Sequence, residues 1–432
     1  MDLNVELRVV AGAELEVVLR RLERRGETDL ERVEPRVREV LAAVRAEGDA
    51  GVARFVRELE GRETGALLRR DYAGAEAAAS LDPGLAAALT EAAERIRRFH
   101  QHQAAQGGSF EYEAGGVRLG TRVRPLDRVG VYAPGGKARY PSSVLMCAVI
   151  ARVAGVKEII VATPNAATEV RAACHLAGVD AILDAGGAQA IAALAYGTQS
   201  VPRVDKIVGP GNIYVAAAKR LVFGEVDIDS IAGPSEILVV ADASADEEVV
   251  AADLLSQAEH DEAAYPLLVT TEAALVGRVQ RALGRRLGEL PRRAIAAASV
   301  GANGWALVVE DRESLAGVAN RLAVEHVALQ VRDPRELAAR ITHAGALFIG
   351  AMTPEAAGDY VAGPSHVLPT GGAARYGSPL GVYDFVARTS LIEYSAEALA
   401  AAGPGIEALA EAEGLHAHAL AVSARTSRNP RG

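Results

Sequence analysis

The sequence predicts an α/β protein built on two parallel β-sheets covered by helices. The first observation behind this is a series of nine short runs rich in Val, Ile, Leu and Ala, beginning near Arg128: "RVGVYA", "EIIVAT", "DAILDA", "DKIVG", "EILVVAD", "YPLLVTT", "WALVVED", "VALQV" and "ALFIG". The second is what separates them: Gly/Pro/Asp turns and Ala-rich helical stretches, the alternation that parallel strands with crossover helices require. The third is their number, which is too large for one small sheet and predicts two α/β domains.

The first hundred residues read as helices. "ERVEPRVREVLAAVRAEGDAGVARFVRELEG" carries apolar residues at helical spacing among charges. The arginine-rich patch "RRLERRGE" is interleaved with glutamate and reads as a solvated helix face. From about Val382 the chain returns to helix and ends in the polar tail "SARTSRNPRG", expected to fray. No repeat of fixed period and no low-complexity linker interrupts this order.

Composition narrows the function classes. The chain has 432 residues, 50% hydrophobic, 4% aromatic and 24% charged, which is the profile of a globular protein with an Ala/Val/Leu core. A formal net charge of −10 offers no general attraction for nucleic acid or anionic membrane. Cys147 and Cys174 sit in Ala/Val-rich segments and read as buried free thiols, consistent with a reducing cytoplasm; two thiols are too few for a thiolate zinc site. The N-terminus has no apolar signal region, and the best apolar stretch, "SSVLMCAVIARVAGV", is short and broken by Arg152.

No G-x-G-x-x-G opens a helix after a strand, and no P-loop is present. Instead, glycine-rich turns follow three strands: "VYAPGGKARYPSS" (131–143), "DAGGAQA" (184–190) and "VGPGNIY" (208–214). Each alone reads equally as ordinary strand-to-helix punctuation. Three in one candidate domain also fit a nucleotide or phosphate cleft, since glycine admits a ligand close to the backbone and helix N-termini favour anions.

In "DLLSQAEHDEAAYP" (253–266), Ser244 and Glu247 upstream form a capping-box pattern that predicts a helix from near Ala245. At 3.6 residues per turn, Asp253, Gln257 and His260 share one stripe, and His260 falls near the C-terminus, where a cation is favoured. A capping histidine beside a solvated glutamine fits this, and so does a functional face. Three further clusters pair histidine with carboxylate: Glu325–His326 at the mouth of a strand, Asp359 and His366 in "GDYVAGPSHVLPTGG", and Glu413, His416 and His418 in "EAEGLHAHALAV". Such donors suit Zn²⁺ or a similar metal, and adjacent Glu and His suit proton transfer. No fixed spacing such as H-E-x-x-H joins them, so the residues alone leave these readings open.

Taken in order, "VGVYAPGGKARYPSSVLM", "GGAQAIAALAYGT", "DKIVGPGN", "AGPSEILVVAD", "DLLSQAEHD", "GDYVAGPSHVLPT" and "EGLHAHALAV" resemble the motif series of the histidinol dehydrogenase family, from about Arg128 to Arg425. The resemblance implies oxidation of L-histidinol through L-histidinaldehyde to L-histidine, with two NAD⁺ and one zinc ion per subunit. It implies two Rossmann-like domains without the usual glycine fingerprint: residues 26–130 with 236–381, bearing the metal and catalytic residues, and residues 131–235, binding NAD. Small helical segments, 1–25 and 382–432, would flank them, the second completing the neighbouring subunit's site in a homodimer.

Carried over residue by residue, the resemblance implies zinc ligands at Gln257, His260, Asp359 and His418, and an acid/base pair at Glu325 and His326. Substrate contacts would fall at Ser235, His326, His366, Glu413 and the four metal ligands, and NAD contacts at Tyr132, Gln189 and Asn212. His416, two residues from His418, would not ligate. The chain departs from the family pattern at Val324 and Val327, where Pro and Leu usually flank the Glu–His pair, and at Cys147 and Ser365, where Asn is common. A related zinc- and NAD-dependent dehydrogenase for another small polyfunctional alcohol is the nearest alternative, and an inactive metal-binding paralogue the next.

Overall fold

The computed structural model describes residues 5–25, 30–135 and 139–427. It forms two units, one of residues 1–103 with 126–385 and one of residues 104–125 with 386–432. The five terminal residues of the polar tail lie outside the described residues, and the final helix, His416–Thr426, continues almost up to them.

The first unit holds two six-stranded sheets. One runs in the order Arg8–Ala11, Trp305–Val308, Tyr265–Thr270, Glu236–Ala241, His326–Gln330, Ala346–Ile349, and every pairing in it is parallel. All six residues of Glu236–Ala241 are buried, so alternate side chains feed a core on each face. That is why a parallel strand reads as a continuous apolar run rather than an alternating one. The other sheet runs Leu68–Arg69, Ala181–Leu183, Glu158–Ala162, Arg128–Tyr132, Lys206–Val208, Asp227–Ile228. It is parallel except at the antiparallel Leu68–Arg69 edge. All nine runs read from the sequence are strands here.

Three assignments differ from the sequence reading. Helices Leu30–Glu47 and Asp49–Glu60 share a core with Ile160, Leu183, Ile191 and Val215 of the second sheet and its helices, not with the 236–381 strands. Periodicity marks an apolar face but not the sheet that face will cover. Nor are the two flanking segments purely helical: Arg8–Ala11 adds an edge strand to the first sheet, and Val386–Tyr394 pairs antiparallel with Val117–Pro125 in the second unit. Finally, the helix after Glu236–Ala241 starts at Glu247 with Asp246 as its cap, accepting from the Glu248 N–H at 2.8 Å. Ser244 instead donates to Asp242.

Cys147 and Cys174 are free and fully buried, which pushes both thiols up from their ordinary range. Among the described residues, no helix is long and apolar enough to cross a membrane.

Candidate active and metal site

The first sheet gathers its polar residues at the amino ends of its strands. Ile237 pairs with His326 across neighbouring parallel strands, so Glu236 and Glu325 stand side by side at the same edge. The helix Glu247–Ala258 returns from the carboxyl edge and delivers Gln257 and His260 to that amino edge. The short helix Glu355–Tyr360 adds Glu355 and Asp359, one turn apart. Open α/β sheets usually place ligands at the carboxyl ends of strands. This site is built from the opposite ends and the returning helix.

Glu236 organises the Glu–His pair. Its backbone N–H donates to Glu325 Oε2 at 3.0 Å, and its own Oε2 accepts from the Glu325 N–H at 3.2 Å. Its carbonyl lies 2.9 Å from His326 Nδ1. A carbonyl only accepts, so Nδ1 carries the hydrogen and the Nε2 lone pair is left free as a base. Glu236 is itself held by Arg25, whose Nε and one terminal nitrogen contact its two carboxylate oxygens at 2.9 and 2.8 Å. Arg25 thus corrects the reading of "RRLERRGE" as wholly solvated: its side chain and that of Glu236 are each only 1% exposed.

Burial sets the charge states. It pushes the Glu325 carboxyl well above the usual range, and the neighbouring Glu236 charge pushes it further. Burial lowers the His326 ring to about 4 despite the Asp359 charge, so the ring is neutral at physiological pH. His326 Nε2 lies 3.8 Å from Asp359 Oδ1 and 3.9 Å from Glu355 Oε1.

Beside it, donor atoms of His260, Glu355 and Asp359 all fall within 4.8 Å of one another, as one metal ion would require. His260 Nε2 and Asp359 Oδ2 are 4.0 Å apart. Gln257 is 1% exposed, so it is neither solvated nor a cap. One end of its amide faces Glu355 Oε1 at 2.9 Å and the Glu236 carbonyl at 3.2 Å, two acceptors that assign the nitrogen to that end. It also lies 3.1 Å from His326 Nδ1, whose hydrogen is already committed, so no bond forms there. Imidazole, carboxylate and amide oxygen without thiolate form a donor set that fits Zn²⁺ or a similar borderline metal.

The glycine-rich turns of the second sheet follow the carboxyl ends of its strands. Tyr132 closes the strand Arg128–Tyr132, is 4% exposed, and its hydroxyl accepts from the Gly187 N–H at 3.1 Å. Gln189 is 1% exposed; its nitrogen donates to Glu60 at 3.0 Å, while its oxygen has no partner among the described residues. A buried, orphaned acceptor fits a site awaiting a donor from a ligand. Asn212 caps the helix Ile213–Val222, accepting from the N–H groups of Tyr214 and Val215. Gly136, Lys137 and Ala138, in the middle of the first turn, lie outside the described residues.

Ser235 immediately precedes Glu236, and its carbonyl accepts from the Tyr265 N–H. His366 Nδ1 donates to the Asp359 carbonyl at 3.0 Å, and the surrounding protein lowers its ring below the ordinary histidine range. Ser365 donates to the Met146 carbonyl at 3.2 Å, tying this segment to the helix Pro141–Val153. Glu413 and His418 belong to the second unit, at the end of one helix and in the first turn of the next, and both are exposed. Sequence reasoning missed Glu236, Arg25, Glu355 and Glu60. Only Glu355 left a signal, its spacing of four from Asp359.

The family model described as histidinol dehydrogenase matches residues 23–426. A histidinol dehydrogenase of Syntrophotalea carbinolica is 54% identical over 407 residues, covering 93% of this chain and 94% of the relative. One from Aquifex aeolicus is 49% identical, covering 94% and 95%. A crystal structure of histidinol dehydrogenase from Elizabethkingia anophelis superposes with a TM-score of 0.92 at 33% identity, covering 98% of each chain.

Proposed function

The chain belongs to the histidinol dehydrogenase family, oxidoreductases acting on a CH–OH group in histidine biosynthesis, and on that premise we propose that it is zinc- and NAD-dependent. In this reading it converts L-histidinol through L-histidinaldehyde to L-histidine, a four-electron oxidation. The observation that carries the reading is the free Nε2 of a neutral His326 facing a metal-type cluster of His260, Glu355 and Asp359. Gln257, His260 and Asp359 would hold the metal with His418, and Tyr132, Gln189 and Asn212 would hold the dinucleotide. When bound, zinc supplies polarisation and positioning of the alcohol, and NAD⁺ accepts hydride.

The chain's own groups manage the protons. His326 Nε2 takes the hydroxyl proton in the first oxidation and the proton of the aldehyde hydrate in the second. Glu325, buried beside it, activates the water that adds to the aldehyde. Its raised carboxyl is suited to take a proton near neutrality, whereas an ordinary carboxylate would be too weak a base. Ser235, His366 and Glu413 complete the substrate contacts, with His366 and Glu413 toward the imidazole end.

The reading includes a cytoplasmic homodimer in which Glu413 and His418 serve the neighbouring subunit's site; their exposure in the second unit supports it. Mixing His260→Ala chains with His418→Ala chains tests this arrangement. Hybrid dimers should regain one intact site and measurable activity, and no recovery despite proven subunit exchange would exclude it. Turnover of histidinol against other amino alcohols and diols tests the substrate. A preference for another alcohol would favour the related dehydrogenase.

A further inference from the structure

We propose that Glu355 is a positioning residue that sets the orientation of the Gln257 amide, turning its oxygen rather than its nitrogen toward the metal. The proposal rests on the reading of Gln257 as a metal ligand. An amide has nearly the same shape either way round, so its orientation in a buried site is decided by what faces each end. At Gln257 one end faces two acceptors, Glu355 Oε1 at 2.9 Å and the Glu236 carbonyl at 3.2 Å, and one donor, His326 Nδ1 at 3.1 Å, whose hydrogen is directed to that same carbonyl. Two acceptors match the two hydrogens of the amide nitrogen, which fixes the nitrogen there and sends the oxygen the opposite way.

Glu355 is built for this task. It is 1% exposed, so its oxygens are shielded from bulk solvent and meet groups of the protein. Its second oxygen lies 3.1 Å from Ser256 Oγ, whose single hydrogen it shares with the Asp253 carbonyl at 2.9 Å. One carboxylate therefore grips two consecutive residues, Ser256 and Gln257, and ties their helix to the helix that carries Asp359. It also explains why residue 257 is Gln and not the stronger ligand Glu. A carboxylate there would face Glu355 and the Glu236 carbonyl with no hydrogen between them.

Donor atoms of Glu355 also cluster with those of His260 and Asp359, so the competing role is direct ligation. The two roles separate in zinc affinity, measured on the full-length chain by competition with a chromogenic chelator, with Co²⁺ absorption as a second readout of the donor set. Glu355→Gln keeps an acceptor for Gln257 and should leave affinity and the Co²⁺ spectrum close to wild type. Glu355→Ala should weaken zinc about 10- to 100-fold. Gln257→Glu should also weaken it, and the swap Gln257→Glu/Glu355→Gln should regain affinity over that single change. The gain is partial, because the Glu236 carbonyl still faces the new carboxylate. If Glu355→Gln is as damaging as Glu355→Ala, or the swap binds no better than Gln257→Glu, Glu355 does not act by orienting the amide. A wild-type chain that binds no zinc would overturn the metal reading itself. Should Glu355→Ala fail to fold, Glu355→Gln and the swap still decide the matter.

Discussion

Glu236 and Glu325 hold each other across neighbouring strands, each carboxylate accepting from the other's backbone N–H, at 3.0 and 3.2 Å. Two buried acidic side chains so close would repel, and Arg25 offsets this by pairing with both oxygens of Glu236. Gly371 donates a further N–H to Glu236 at 2.8 Å. Glu236→Ala leaves a buried guanidinium unpaired and should cost about 3–5 kcal/mol of stability, read as a lower denaturant midpoint. An unchanged midpoint would mean that Arg25 finds another partner.

Glu325 and His326 have separable duties in this account. His326→Ala should depress both oxidations about 10²-fold or more, since one base serves both. Glu325→Gln should spare oxidation of histidinol to the aldehyde and stall oxidation of supplied histidinaldehyde. Single-turnover measurements of each half-reaction check this, and equal losses in Glu325→Gln would remove the division of labour.

The state of His326 can be observed directly. Because burial lowers its ring to about 4, it should gain a proton only as pH falls toward that value, and not near 6.5. It should therefore remain an active base throughout the neutral range. Histidine ¹⁵N chemical shifts, assigned with His326→Gln, should report a neutral ring at pH 6 with the hydrogen on Nδ1. Protonation at ordinary histidine pH would contradict the burial, and a neutral ring with its hydrogen on Nε2 would contradict the bond to the Glu236 carbonyl.

Gly345 permits a close approach beside the same pair. A Cβ there would lie 2.5 Å from the Glu325 carbonyl oxygen, and Ala346 N–H donates to that oxygen at 2.8 Å. Gly345→Ala should displace Glu325 and lower kcat about 10- to 100-fold, with zinc affinity kept. Loss of zinc together with kcat would indicate wider disruption.

Much of this frame was legible because its signals are local. Strands buried on both faces announce themselves as apolar runs, and Glu325–His326 stood out as charge at the start of one. The spacing of Gln257 and His260 gave a shared face, but only tertiary packing reveals that Gln257 is buried against Glu355. Glu236 and Arg25 were illegible for the same reason. One looks like the polar start of a strand and the other like a member of a solvated patch, and they become partners only through a contact spanning 211 positions. Helices 30–60 likewise carry an apolar face without any mark of the sheet they will cover.

In the proposed mechanism one metal-assisted site carries out both oxidations. The most direct measurement is NADH formed per histidinol consumed, before and after a strong chelator and again after zinc is restored. Two NADH per histidinol are expected, with loss of turnover on chelation and recovery with zinc. A ratio of one, or full activity in verified metal-free protein, would contradict it.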